Sequence, residues 1–271
     1  MVRGALVEIV GKGAPRVLGP IEPGALHPNA ANPPVAHIIL DRPAKRNALD
    51  TTACNALADA VDAASTTGAR IVIISGSGGH FCAGADLSTV EDADFQPALR
   101  RCLQALVDAP IPVLLAIEGA CLGAGVQLAL AADLRVATPK ARLGVPAAKL
   151  GLSIDHWTAA RAAAMLGRSA AAHVLLSAEE LSGQRAFDLG FVHRLGAPGD
   201  AMIWAGELAR LAPLTLRAHK AALEAPAPAS MAPQHQDSTV SAARSAAWAS
   251  ADLAEGKRAF TEKRAPHFGG E

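Results

Sequence analysis

Two glycine-rich turns hold the groups in this sequence that could do chemistry with the main chain alone. The first, Gly84-Ala85-Asp86, follows the apolar run Ile71 to Ile74 and the pair Phe81-Cys82. The second lies in Val113 to Pro146, VLLAIEGACLGAGVQLALAADLRVATPKARLGVP. There an apolar run, Val113 to Ile117, passes through Gly119, Gly123 and Gly125 into the helical spacing of Val126, Ala129 and Leu130. Strand, glycine turn and helix in that order present free backbone N–H groups at the positive end of a helix, and glycine lets a ligand approach the main chain closely. Such a turn suits an anion, or an oxygen that becomes anionic during a reaction. A dinucleotide fold would place a third glycine three residues after Gly125, where Leu128 stands, and the Gly-Lys-Ser/Thr of a phosphate loop is absent. The four cysteines, Cys54, Cys82, Cys102 and Cys121, have no CxxC spacing and no histidine cluster nearby, so they read as small buried hydrophobes rather than a metal site or a disulfide framework.

The chain resembles the crotonase (enoyl-CoA hydratase/isomerase) superfamily. The likeness rests on FCAGADL at Phe81 to Leu87, GACLGAGVQLALAADLRVA at Gly119 to Ala137, LDRPAKRNAL at Leu40 to Leu49 and EGKRAFTEKRAPHF at Glu255 to Phe268. It covers nearly the whole chain in the right order, and resembles members that lack both catalytic glutamates. The resemblance implies that the N–H groups of Ala85 and Ala124 form an oxyanion hole for the thioester carbonyl of an acyl-CoA or enoyl-CoA. It places CoA contacts at Arg42, Lys45, Arg46, Ala48, Asp86 and Leu87, with Phe260 and Lys263 closing on the nucleotide from a neighbouring subunit. Basic side chains suit the CoA phosphates, and Asp86 is also expected to hold its loop.

Hydration of an α,β-double bond needs one group to deprotonate water and another to protonate the α-carbon, and hydratases of this family use two glutamates. Here Gln127 and Ala147 stand at those places, and neither titrates. Asp155 falls where dienoyl-CoA isomerases of the superfamily carry a proton-moving aspartate, yet an aspartate before a helical pattern also reads as an N-cap. His156 could serve as a base, although Ser153, Asp155 and His156 are too close in sequence to form a triad. Leu152, Ile154, His156 and Trp157 are expected to line an acyl pocket. The resulting expectation is an acyl-CoA-binding protein of fatty-acid metabolism with little or no hydratase activity, in a carrier or sequestering role. The alternative is an active enoyl-CoA hydratase, or an enoyl- or dienoyl-CoA isomerase using Asp155.

The elements that must position these groups follow from apolar periodicity. Ala5 to Val10 reads as an edge strand, Gly11 to Pro34 as a Gly/Pro/Ala-rich flexible insertion without periodicity, and Val35 to Leu40 as a strand. A helix capped by Asp50 or Thr51 runs to about Ala64. Strand Ile71 to Ile74, helix Gln96 to Val107, strand Val113 to Ile117 and helix Val126 to Ala132 then alternate, predicting an α/β domain. Helical patterns follow at Trp157 to Leu166, Ala170 to Leu176 and, after the polar start Ser177 to Glu180, Ser182 to Leu189. Ser238 to Lys263 reads as one long Ala-rich helical region. The resemblance adds a spiral of repeated ββα units over residues 1–196 and a C-terminal helical trimerisation region over 197–271. It implies a homotrimer or a dimer of trimers, no metal, and no cofactor beyond the coenzyme A of the ligand.

With 271 residues, 51% hydrophobic content and zero formal net charge, the chain can bury a large core and carries no field to attract nucleic acid. No apolar run approaches the ~20 residues of a membrane span, and no basic-then-apolar signal opens the sequence, so a cytoplasmic location is expected.

Overall fold

The structure, a computed structural model, describes residues 7–8, 16–19, 34–227, 230, 232 and 237–271. In chain order the strands are β1 (Val7–Glu8), β2 (Arg16–Gly19), β3 (Val35–Leu40), β4 (Ile71–Gly76), β5 (Val113–Ile117), β6 (Ala120–Leu122), β7 (Leu134–Ala137), β8 (Arg142–Gly144), β9 (Leu181–Ser182) and β10 (Arg194–Leu195). The α-helices are α1 (Thr51–Thr66), α2 (Phe95–Asp108), α3 (Ala124–Ala131), α4 (His156–Leu166), α5 (Arg168–Leu176), α6 (Gly183–Asp188), α7 (Pro198–Leu208), α8 (Pro213–Glu224), α9 (Ser238–Ala249) and α10 (Ala251–Glu262).

The two continuous apolar runs become the centre of the main sheet, whose order is β1-β2-β3-β4-β5-β7-β10. Every residue of β5 is buried, as is β4 up to Ser75, which is what a strand covered on both faces requires. Strands β3, β4, β5, β7 and β10 run parallel, with Val72 opposite Val113 and Leu114 opposite Leu134. A second sheet, β6-β8-β9, is continued by single bridges between Cys82 and Cys121 and between Leu49 and Ala85. Three successive parallel strands therefore each lead to a step in the second layer and then to a helix: β3, Leu49, α1; β4, Cys82 to Ala85, α2; β5, β6, α3. These are the turns of a strand-strand-helix spiral. The larger core lies between one face of the main sheet, the second layer and helices α1 to α3, and includes Phe81, Leu99, Leu106, Leu115 and Leu128. The opposite face is covered by α7. Its Ala201 and Ala205, with Ala209 at its C-cap, four residues apart, let the helix approach Ile71, Ile73, Leu114 and Val136 closely.

Several expectations need correction. Arg16–Gly19, inside the segment read as an insertion without periodicity, is a strand that pairs antiparallel with both β1 and β3. Its order comes from the ladder on either side rather than from a local pattern. The remainder of that insertion, other than Pro34, lies outside the described residues. The long C-terminal helical region is broken at Ser250, whose extended ψ of 154° ends α9 and begins α10. Helix α6 is capped not by the polar start at 177–180 but by Ser182, whose hydroxyl accepts from Arg185 N. Asp50 is the cap of α1. No helix among the described residues is long and apolar enough to cross a membrane.

Candidate functional site

The two glycine turns meet in space through the second layer. Leu49 N–H donates to Gly84 O (2.8 Å) and Asp86 N–H to Leu49 O (2.7 Å). In a parallel bridge these two bonds flank Ala85, so the N–H of Ala85 points to the other side. On that side Cys82 N–H donates to Ala120 O and Leu122 N–H to Cys82 O, both at 2.9 Å, tying the first turn to β6. The ladder then opens. A Cβ on Gly84 would lie 3.1 Å from Leu122 O and 3.7 Å from Ala124 N. Gly84 (φ +111°) and Gly123 (φ +51°, ψ −114°) adopt backbone conformations that favour glycine, which brings the strands this close and then turns them apart. Helix α3 begins at Ala124, two residues earlier than the periodicity suggests, so the Ala124 N–H belongs to its unbonded first turn. Among the described residues neither Ala85 N–H nor Ala124 N–H has an acceptor.

The opposite end of α3 is held by two arginines that sequence reasoning missed. Arg135, 2% exposed, donates from Nη1 to Ala129 O (2.7 Å) and Ala132 O (2.8 Å) and from Nε to Phe191 O (2.6 Å), and lies 4.6 Å from the Phe191 ring centre. Burial lowers its pKa to about 10, which leaves it charged at neutral pH. Arg161 on α4 donates from Nε to Leu130 O (2.7 Å) while its Nη atoms form a two-bond pair with Glu224 of α8 (2.7 and 2.6 Å). Cations at the C-terminal end satisfy the last carbonyls and complement the helix dipole, so the unmet groups of α3 are concentrated at its first turn. Asp133, just past the end of α3, is one half of a largely buried ion pair with Lys220. Its Oδ2 accepts from Val113 N–H (2.7 Å) and Lys220 Nζ (2.8 Å), and Lys220 also donates to Leu106 O. Burial pushes the Asp133 carboxyl up, and the Lys220 charge opposes that shift.

Gln127, half-buried on α3, donates from Nε2 to Thr158 Oγ1 at 2.8 Å. Thr158 is fully buried, and its own N–H donates to Asp155 Oδ1 (2.8 Å). Asp155 is thus the N-cap of α4, with an exposed side chain. Ala147 sits in the one-turn 3-10 helix Pro146–Lys149, packed against the main core. Of the expected acyl-pocket residues, Ile154 is half-buried against the core. Leu152, His156 and Trp157 are exposed, and the Trp157 ring centre lies 5.5 Å from the Arg161 guanidinium carbon.

The cationic stretch divides into inward and outward groups. Arg42 is turned inward: it donates to Ala48 O (2.6 Å) and forms ion pairs with Asp86 (3.1 Å) and Asp50 (3.0 Å). Lys45, half-exposed, pairs with Asp86 Oδ2 at 2.7 Å. Asp86 also accepts from the Ser88 hydroxyl (2.7 Å), and Lys45, then Ser88, hold its carboxyl well below the usual carboxylate range. Arg46 is exposed, and its side chain has no partner among the described residues. Leu87 is 59% exposed. Asn47, which sequence reasoning passed over, fixes this loop. It is 1% exposed at φ +60°, its Oδ1 accepts from Arg42 N–H, and its Nδ2 donates to Ser77 O and His80 O. An asparagine in a Lys-Arg-Asn-Ala run is the only sequence signal for that role.

Phe260 and Lys263 are not brought to these turns within one chain. They lie at the end of α10, where Phe260 is 88% exposed and lines a cavity of about 730 Å³ between α8, α9 and α10. That cavity contains none of the glycine-turn residues. The chain end folds back beside it. Glu255 accepts two bonds from Arg264 (2.6 and 3.0 Å) and one from His267 N–H, Asp252 accepts from Gly269 N–H (2.7 Å), and Arg70 donates to Phe268 O (2.7 Å). Among the described residues no group of three or more His, Cys, Asp or Glu side chains could hold a metal ion.

A family model described as enoyl-CoA hydratase/isomerase matches residues 30–271. The chain belongs to the enoyl-CoA hydratase/isomerase family. Among relatives of this family it is 39% identical over 238 residues to the Mycobacterium tuberculosis protein named "Probable enoyl-CoA hydratase echA6", covering 87% of this chain and 96% of the relative. It is 35% identical over 250 residues to the 2,3-dehydroadipyl-CoA hydratase of Escherichia coli, covering 86% and 94%. A solved enoyl-CoA hydratase/carnithine racemase from Magnetospirillum magneticum superposes with a TM-score of 0.80 at 27% identity, covering 95% of this chain and 96% of that one. The fold is therefore that of the crotonase superfamily, and the matched span contains both glycine turns, the Arg42 to Asn47 loop and α10.

Proposed function

We propose that this family member binds acyl-CoA or enoyl-CoA thioesters through the N–H groups of Ala85 and Ala124 and has little or no hydratase activity, serving as an acyl-CoA carrier or sequestering protein in fatty-acid metabolism. The observation that carries the reading is the pairing of two unmet backbone donors, on turns that meet in space, with acid-base places occupied by Gln127 and Ala147. Two preorganised donors favour an oxygen with negative charge, by about 3 kcal/mol per donor where such groups have been removed from enzymes. An amide and a methyl group cannot take up or release a proton near neutral pH, and each general acid or base lost removes roughly 10²–10⁴-fold in rate. Arg46 and the exposed face of Lys45 are the cations left for the CoA phosphates, because Arg42 is occupied with Asp86, Asp50 and Ala48. Coenzyme A enters as part of the ligand, with no separate cofactor. The region 197–271, with Phe260 and Lys263 exposed, is assigned to assembly as a homotrimer or a dimer of trimers, in which a neighbour brings those two residues to the nucleotide.

The test combines calorimetric titration with acyl-CoA and a crotonyl-CoA hydration assay. Binding without turnover is expected, and hydration at ordinary enzyme rates overturns the non-catalytic part. The competing assignment, catalysis by Asp155, requires a carboxylate that here caps α4.

A further inference from the structure

We propose that the site between the two turns takes thioesters bearing a hydroxyl on the β-carbon in preference to their saturated and unsaturated counterparts. The Gln127 amide is the selecting group and Thr158 the residue that positions it. This rests on the thioester-gripping reading above. Gln127 is one turn along α3 from Ala124, about 4.5 Å in axial rise, and helical side chains lean toward the N-terminus. Its amide is therefore directed to the same end of α3 as the unmet Ala124 N–H, within reach of the first carbons of an acyl chain whose carbonyl oxygen is held there.

The amide is not free to swing. One of its N–H groups goes to Thr158 Oγ1 at 2.8 Å, and Thr158 is fully buried, with its backbone tied to Asp155. The second N–H and Oε1 have no partner among the described residues. What remains is a fixed, neutral donor and acceptor side by side. A hydroxyl accepts one hydrogen bond and donates one, so it matches that pair; an enoyl or saturated β-carbon offers neither. Acyl groups without the hydroxyl would displace water from the amide and give nothing back, and that asymmetry produces selection. A glutamate at this place would serve proton transfer, whereas the amide can only recognise.

The experiment titrates the 271-residue chain with butanoyl-CoA, crotonyl-CoA and each enantiomer of 3-hydroxybutanoyl-CoA. One hydroxy enantiomer is expected to bind about tenfold tighter than butanoyl-CoA. That ratio should fall to about one in Gln127→Leu and in Thr158→Val, and return in Thr158→Ser, which restores the hydroxyl. A ratio near one in the parent chain, with measurable affinity for all four thioesters, overturns the selection while leaving the thioester grip intact. A ratio that survives both Gln127→Leu and Thr158→Val overturns the assignment to these residues. Failure of all four to bind overturns the grip itself, and the selection with it.

Discussion

Gln127 and Ala147 define an experiment in which function is added rather than removed. The double substitution Gln127→Glu and Ala147→Glu supplies two groups that titrate beside the Ala85 and Ala124 donors. Crotonyl-CoA hydration should rise by about 10²-fold or more over the parent, read as product formation at neutral pH; no gain would mean that the donors do not face a thioester. Asp155 separates a cap from a catalyst. Asparagine caps a helix about as well as aspartate, so Asp155→Asn should leave the melting temperature nearly unchanged, whereas Asp155→Ala should cost about 1 kcal/mol in urea unfolding. Any turnover that disappears in Asp155→Asn would instead point to proton transfer. At this scale the sequence showed where residues fall along the chain but not what they touch. The dual reading of Asp155 was open from its position before a helical pattern. Arg42 looked like a phosphate ligand because its inward pairing with Asp86 spans 44 positions, and no local pattern reports that distance.

Among the elements, α3 is the piece on which the site depends. Its polar contacts run to α4 through Arg161 and to β7 through Arg135, while α8 is tied to α4 by Glu224 and to the turn after α3 by Lys220. Lys220→Met would leave the Asp133 carboxylate buried without its partner, a loss of about 3–5 kcal/mol for a pair of this kind. The double variant Lys220→Met with Asp133→Leu should recover much of that loss in chemical denaturation, because an apolar pair has no charge to desolvate. Parity between single and double variants would show the two side chains to be independent. The strands of this assembly were legible: Ile71 to Ile74 and Val113 to Ile117 are apolar without interruption, and only a doubly covered sheet explains that. Arg16–Gly19 was not, since four residues between partners carry too little pattern to outweigh surrounding glycine and proline. Ser250 also hid a break, because an alanine-rich run continues on both sides of it.

At the scale of the whole molecule, the folded-back chain end makes stability respond to acid. Arg264, then the His267 N–H, lower the Glu255 pKa from its ordinary 4.5 to about 2. A carboxylate with a depressed folded pKa contributes stability that is complete above about pH 4.5 and is lost as pH falls toward 2. Unfolding measured between pH 6 and 2 should therefore weaken through that window, and Glu255→Gln should be less stable at pH 7 and show a flatter profile. Identical profiles would mean that the tail contacts do not persist in solution. The overall architecture followed from the motifs, whereas this return of the tail to α10 and Arg70 depends on contacts between residues distant in sequence.

The four cysteines are all at zero exposure, and burial lifts the Cys82 thiol to about 12. Neither a reactive anion nor an approach path exists while the core stays shut, so a thiol-reactive dye can label this molecule only when it opens. Dye uptake over hours, with and without acyl-CoA, would then act as a built-in stopwatch for unfolding, and a ligand that slows it would betray its binding without any assay of chemistry.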